Sequence, residues 1–286
     1  MTAADYDLQD PALTGKLEAM LARFGELGRV VVAFSGGVDS ALALKVGALA
    51  LGDDCIGVTA RSESLPGEEF ELAAALAREH GLRQEVIEYS ELAIEGYAEN
   101  PVNRCYFCKK ELYTRLTDLA RSLGARAIVD GANADDAGDY RPGAQAAEEL
   151  RVVSPLREAG MTKADVRTMA RALGLSNWDK PAGACLSSRV PYGERIDADK
   201  LDRIARGEAL LRSLGFAQSR VRHHGEIARV EVEPKLIALL AEPERRARVV
   251  AGLREIGFRY VTLDLTGYRT GSLNESLPGQ ALASDL

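Results

Sequence analysis

Residues 30–40 read VVVAFSGGVDS. The run from Val30 to Phe34 is short, apolar and β-branched, which predicts a buried strand. Ser35, Gly36 and Gly37 make a sharp turn, and from Val38 onward Ala41, Leu42, Leu44 and Ala48 have the spacing of a helix packed on a sheet. Strand, glycine turn and helix together bring backbone N–H groups and a helix N-terminus to bear on one anion. Gly36 and Gly37 put no Cβ between the backbone and a phosphate. Ser35 and Ser40 add hydroxyl donors. Asp39 is unsuited to a bare anion but suited to a magnesium ion that bridges phosphates.

A Walker A loop ends in Gly-Lys-Ser/Thr, and no lysine follows these glycines. Ser-Gly-Gly-x-Asp-Ser after a strand resembles instead the pyrophosphate loop of the ATP pyrophosphatases, which cut ATP between the α and β phosphates to make an adenylate.

Outward from this stretch the chain alternates. Residues 15–27 predict an amphipathic helix, with the residues through Thr14 loose. Strands are expected at 55–60, 85–89 and 127–129, and helices at 66–80, 105–123 and 162–173, the last with Thr162 as N-cap and Asp165 at N3. Alternating strands and helices predict a doubly wound, parallel α/β sheet covered on both faces. Ligands of such sheets bind beyond the carboxyl ends of the strands. That places 35–40, 59–62, 130–136 and 153–156 at one rim, where Ala60 and Arg61 can meet an adenine and Gly131 a ribose or α-phosphate. The acidic run from Asp130 to Asp139 is either a solvated turn or a Mg2+ or substrate-positioning element.

A second pattern begins near Ile196: helix 197–214, a hairpin of 219–223 and 227–232, a helical stretch 234–256 broken near Pro243, and a strand 260–265. This is a smaller C-terminal α+β domain. The division is a phosphate-loop domain over 1–176, an active-site loop over 177–193 carrying Cys185, and a substrate-binding and oligomerisation domain over 194–286. The last dozen residues read as a frayed tail.

With 286 residues there is room for one large or two ordinary domains. No apolar run approaches the length of a membrane span and no secretory leader is visible, so a cytoplasmic protein without a membrane partner is expected. The net charge of −7 argues against a long polyanion such as tRNA or DNA as substrate, although a local arginine cluster can exist in an acidic chain.

Four cysteines are present, and a cytosolic setting argues against disulfides. Cys55, in an apolar run, is a packed core thiol. Cys105 and Cys108 are spaced i, i+3 at a helix start, which puts both thiols on one face. Taken alone the pair is a redox couple, half a zinc site, or without function. Cys185 lies in the aperiodic segment WDKPAGACLSSRVPYG, where small neighbours leave its sulfur accessible and Lys180 and Arg189 favour the thiolate. Three cysteines are one short of an all-cysteine zinc site, whereas three around a 4Fe-4S cluster leave one iron open. Ser188 and Arg189 are suited to phosphate or carboxylate. Arg220 and Arg222 alternate along a strand and face one way. With Arg269 they suit an anionic small molecule, and Glu208 and Glu231 either orient them or bind a metal. His223 and His224 read as ordinary turn residues.

The motifs SGGVDS, NRCYFCKKELY, DGANADDAGDYRPG, WDKPAGACLSSRVPYG, RVRHHGEIARVEV and LDLTGYRTGSLNE, in that order, resemble the LarE sulfur transferases over residues 15–277. The resemblance implies adenylation by ATP of a carboxylate of pyridinium-3,5-biscarboxylic acid mononucleotide, release of pyrophosphate, and exchange of an oxygen for sulfur in the synthesis of the nickel-pincer nucleotide. It implies that Ser35, Gly36, Gly37, Asp39 and Ser40 bind pyrophosphate and that Cys185 sits at the sulfur-donor position. Ser188, Arg189, Arg220, Arg222 and Arg269 are implied around the substrate phosphate or carboxylates, with Glu208 and Glu231 near a metal or those arginines. Lys109 or Lys110 is implied to face the adenylate. Two sulfur strategies exist in the family: sacrifice of the single cysteine matched by Cys185, or a 4Fe-4S cluster on three cysteines. Cys105, Cys108 and Cys185 fit the second. A homo-oligomer, a hexamer, is implied by the resemblance alone. The rival readings are a tRNA thiolase with the same loop and a non-catalytic nucleotide- or zinc-binding regulator.

Overall fold

The computed structural model describes residue 8 and residues 10–138, 142–181, 183–269 and 271–273. Asp139 and the last dozen residues lie outside these. The chain divides into two compact units. One holds the residues up to Tyr97 together with Asn103–Gly183; the other holds Ala98–Val102 and the residues from Ala184 on.

The first unit is built on four parallel strands: β1 (Val30–Ala33), β2 (Cys55–Arg61), β3 (Gln84–Glu88) and β4 (Ala127–Val129), in the order β3-β2-β1-β4. The unbroken valine run has a packing reason. Val30 and Val32 face one apolar layer and Val31 the other, so every residue of β1's valine run is buried. The first layer contains α1 (Pro11–Leu27), α2 (Val38–Leu51) and α7 (Lys163–Ala172), through Leu17, Phe24, Leu44 and Met169. The second contains α4 (Arg104–Ser122) and α5 (Pro142–Glu149), through Tyr113, Leu116 and Ala146. Helix α3 (Gly67–Glu79) links β2 to β3, and the short α6 (Pro155–Glu158) precedes α7. The segment expected to be loose before residue 15 is instead helical from Pro11. Asp10 accepts the N–H of Ala12 at 2.9 Å and Pro11 sits where its missing N–H is harmless.

Strand order marks one crevice of the sheet. From β1 the chain moves outward through β2 and β3, then returns to the other side of β1 with β4. The direction of winding therefore reverses at the carboxyl end of β1, which is the crevice position in open parallel sheets.

The second unit pairs β5 (Ser219–His224) antiparallel to β6 (Ile227–Val232) through a turn at Gly225, whose φ is 59°. The edge strand β7 (Tyr260–Leu263) runs parallel to β6. Helices α8 (Ala198–Ser213), α9 (Ile237–Ala241) and α10 (Pro243–Ile256) complete it, and Leu211, Phe216, Val221, Val230, Leu253 and Phe258 form its core. His223 corrects the sequence reading of a turn residue. It lies within β5, is 3% exposed, and packs its ring 5.5 Å from that of Phe258.

Candidate active site

The phosphate loop closes on itself. The hydroxyls of Ser35 and Ser40 lie 3.1 Å apart, Ser40 donates to the Gly37 carbonyl at 3.1 Å, and the Ser35 N–H donates to Ser40 Oγ at 3.2 Å. Helix α2 begins after Gly37 with no side-chain cap, so its first-turn N–H groups have no partner within the helix. Gly36 has φ 73°, and a Cβ there would stand 2.7 Å from the Ala73 Cβ of α3. Both facts require glycine. At Gly131, just beyond β4, a Cβ would fall 2.6 Å from the Ser40 nitrogen. The turn after β4 therefore lies directly on the first turn of α2.

Two residues from outside the phosphate loop hold Asp39. Lys163, the first residue of α7, pairs its ammonium with Asp39 Oδ2, and Asn133 donates to Asp39 Oδ1 at 3.1 Å. Thr162 and Asp165 form the capping box expected from sequence. Lys16 and that cap hold the Asp165 carboxyl down at about 2. The acidic run serves local structure. Asp130 accepts from Ser154 at 2.7 Å and from Tyr113 at 3.2 Å, Asp135 from the Lys163 N–H at 2.8 Å, and Asp136 from the Asn133 N–H at 3.0 Å. Asn177 and Lys180 reach the Gly36 carbonyl, and Lys180 also pairs with Glu69 at 2.7 Å.

Ala60 lies one residue before the end of β2, paired in register with Ile87. Arg61 follows, exposed, bonded to Glu88 and 5.2 Å over the Phe70 ring. Of the two candidate lysines, Lys110 is exposed and bonded to the Tyr106 hydroxyl. Lys109 is half-buried, over the Tyr113 ring, and its pKa is raised first by Tyr113 and then by the field of Cys108, Asp130 and Cys105, against desolvation.

All four cysteines are free thiols. Cys55 is buried, and burial pushes its thiol up to about 12, as suits a core residue. Cys105 is exposed at the start of α4. Cys108, one turn on, donates to Glu91 Oε1 at 2.9 Å, while Tyr97 donates to Glu91 Oε2 at 2.9 Å. Cys185 is exposed, and the 3-10 turn Leu186–Arg189 follows it. Among the described residues, no three His, Cys, Asp or Glu side chains are gathered into a metal site.

In the second unit the structure ties the predicted arginines and glutamates to each other. Arg189 meets Glu208 through two bonds of 2.8 and 3.0 Å, and its Nη1 holds the carbonyls of Ala184 and Cys185 and the Ser188 hydroxyl. Arg222 meets Glu231 through two bonds of 2.9 Å and donates to the Ser188 carbonyl at 2.7 Å. Glu208 and Glu231 thus orient arginines, one of the two roles open to them. Arg269 lies against the Gly267 carbonyl and 4.0 Å from Asp264. Arg220 differs. Its guanidinium stacks 4.9 Å from the Tyr268 ring, and among the described residues it has no carboxylate within ion-pair distance. Burial first, and then repulsion from Arg189, lowers its pKa. Its Nη1 donates to the Ser219 carbonyl at 2.7 Å, and the field of Glu208 acts against the lowering.

A four-strand parallel sheet that ends its central strand in Ser-Gly-Gly-x-Asp-Ser at the winding reversal defines a protein of the PP-loop class. No protein-family model matches the chain. It is 47% identical over 265 residues to an uncharacterized protein of Synechocystis sp., covering 93% of this chain and 99% of the other. It is 41% identical over 274 residues to the pyridinium-3,5-bisthiocarboxylic acid mononucleotide synthase of Lactiplantibacillus plantarum, covering 95% of this chain and 98% of that enzyme. The tRNA-specific 2-thiouridylase MnmA of Caulobacter vibrioides is 30% identical over 197 residues, about half of each chain. The chain belongs to the LarE family, the family of the L. plantarum synthase, and is an enzyme of the sulfur-transferring kind. Among the described residues no helix is long and apolar enough to cross a membrane.

Proposed function

We propose that the chain uses ATP to convert a carboxylate of pyridinium-3,5-biscarboxylic acid mononucleotide to a thiocarboxylate. The observation that carries this reading is the 41% identity to the L. plantarum synthase along nearly the whole of both chains. A substrate carboxylate oxygen attacks the α-phosphorus of ATP, pyrophosphate leaves, and an acyl-adenylate forms. Sulfur then adds to the activated carbonyl and AMP departs with the oxygen. The first-turn N–H groups of α2 and the Ser35 and Ser40 hydroxyls serve the leaving pyrophosphate. Asp39 is the carboxylate for a Mg2+, which would neutralise charge on the phosphates. Arg220 takes the anionic end of the substrate, with Arg189 and Arg222 fixed beside it by their glutamates.

Cys105, Cys108 and Cys185 match the family's three-cysteine pattern, and all three are free thiols outside the core. Cys105, Cys108 and Cys185 would hold a 4Fe-4S cluster, which would supply a transferable sulfide at its open iron. The likeness to the thiouridylase covers about half of this chain, and the net charge of −7 favours a small substrate over tRNA. A cytoplasmic location and a homo-oligomer belong to the same reading.

The test is anaerobic reconstitution with iron and sulfide, then incubation with ATP and the dicarboxylate mononucleotide. AMP, pyrophosphate and a product in which sulfur replaces oxygen are expected, with the protein mass unchanged. Loss of the elements of hydrogen sulfide from the chain, with no iron bound, would point to sacrifice of Cys185. No turnover with the mononucleotide but thiolation of tRNA would overturn the assignment.

A further inference from the structure

Two side chains from outside the phosphate loop hold the Gly36 carbonyl. Asn177 Nδ2 donates to it at 3.1 Å and Lys180 Nζ approaches at 3.5 Å. The two residues are the ends of one tight turn, closed by the Lys180 N–H on the Asn177 carbonyl at 3.0 Å. On the other side, Glu69 and Ala73 are one turn apart on α3. Ala73 lies against Gly36, and Glu69 fixes the Lys180 ammonium at 2.7 Å. None of these four residues belongs to the SGGVDS motif.

A trans peptide points its C=O and its N–H in opposite directions. Whatever holds the Gly36 carbonyl therefore also aims the Gly37 N–H, and Gly37 is the N-cap of α2. Gly36, at φ 73°, has the conformational freedom to let this peptide turn over. Within the loop the Gly37 N–H meets the Ser35 hydroxyl at a long 3.4 Å, so the orientation rests mainly on what holds the carbonyl. We propose that Asn177 and Lys180 are positioning residues of the phosphate loop: they lock the 36–37 peptide in its anion-facing sense, and nucleotide at the loop is felt in their turn. The proposal rests on the nucleotide reading given above. Lys180 also brings a positive charge to the loop, shared between Glu69 and the Gly36 carbonyl, which a bound polyphosphate would draw on.

The chain provides its own reporter. Trp178, the only tryptophan in the sequence, sits inside the Asn177–Lys180 turn. It is half-buried against the main core, with the Arg171 guanidinium 5.0 Å from its ring. A change in the turn alters the surroundings of that one indole.

The experiment uses the full chain, α,β-methylene-ATP with Mg2+, calorimetry for affinity and tryptophan emission for the turn. The native chain is expected to bind the analogue with a change in Trp178 emission. Lys180→Ala and Asn177→Ala are each expected to weaken binding roughly tenfold, the size of a charge-assisted hydrogen bond, and to lose most of the emission change. Lys180→Arg is expected to restore both in part, which a purely structural defect would not allow. Native affinity and native emission change in both alanine variants would overturn the positioning role while leaving the nucleotide site intact. Absence of analogue binding by the native chain would overturn the nucleotide reading and this proposal with it.

Discussion

Arg189 and Glu208 form a two-pronged ion pair in which each side chain is only 3% exposed. Such a pair gains little over an apolar replacement, but breaking it leaves an uncompensated buried charge. Arg189→Met is therefore expected to cost about 3–5 kcal/mol of stability, and Arg189→Met with Glu208→Leu distinctly less. Urea unfolding of the two singles and the double measures the cycle. A double variant as unstable as the sum of its singles would remove the coupling. Because Arg189 also holds the Cys185 carbonyl at 2.8 Å, alkylation of Cys185 should change rate in the single variant.

Gly131 and Gly67 make opposite predictions for the same substitution. A Cβ at Gly131 would press on the backbone of Asp39 and Ser40, where no side chain can yield. Gly131→Ala should cost about 1–3 kcal/mol and weaken nucleotide binding by shifting the start of α2. Gly67, the first residue of α3, has nothing within 4 Å of a Cβ, so Gly67→Ala should stabilise by about 0.4–1 kcal/mol. Thermal melts of the two variants decide; equal shifts would contradict the close approach of the β4 turn to the loop.

The contrast between what the sequence reveals and what it hides follows from range. The phosphate loop, the α/β alternation and the Thr162–Asp165 cap are local patterns, and each is legible because the residues that explain one another are adjacent. Lys163, Asn133 and Asn177 act on the loop from 94 to 141 residues away, and nothing in their own neighbourhoods points to the loop. The acidic run is ambiguous for the same reason: Asp130, Asp135 and Asp136 accept from Tyr113, Ser154 and backbone N–H groups, partners that only the fold brings near. The return of Ala98–Val102 to the second unit rests on buried Asn100, at φ 57°, whose amide holds the carbonyls of Val190 and Pro191. An Asn-Pro step in the sequence reads only as a turn.

His223 gives the second unit a pH dependence of definite sign. Its ring is buried with both nitrogens lacking a partner among the described residues, and burial, with Lys200 and Arg203 against Glu194 and Asp197, lowers its pKa below 6.5. A depressed histidine pKa means that the unfolded chain takes up the proton first. The contribution to stability is complete above about 6.5 and is lost as the pH falls from there toward the folded value, at no more than about 1.4 kcal/mol per pH unit. His224, also lowered, adds in the same direction. His223→Phe, beside Phe258, should flatten the fall between pH 7 and 5. An unchanged slope in denaturation midpoints across that range would assign the dependence to other groups.

The pairing of Asp39 with Lys163 sets an ammonium group at the loop. Lys163 is pinned twice, its N–H by the Asp135 carboxylate at 2.8 Å and its ammonium by Asp39. Its side chain is thus set at the loop before any nucleotide arrives, so little reorganisation is needed when phosphate charge develops. Metal at Asp39 would leave the ammonium to the leaving pyrophosphate. Lys163→Met should therefore slow pyrophosphate release by about 100-fold to 1000-fold, with Lys163→Arg intermediate. Asn133→Ala, which removes only an orienting bond to Asp39, should cost closer to tenfold. Pyrophosphate–ATP exchange in the presence of the carboxylate substrate isolates adenylation from sulfur transfer. If Lys163→Met exchanges within twofold of the native chain while sulfur incorporation fails, the lysine serves the second half-reaction and the loop releases pyrophosphate without it.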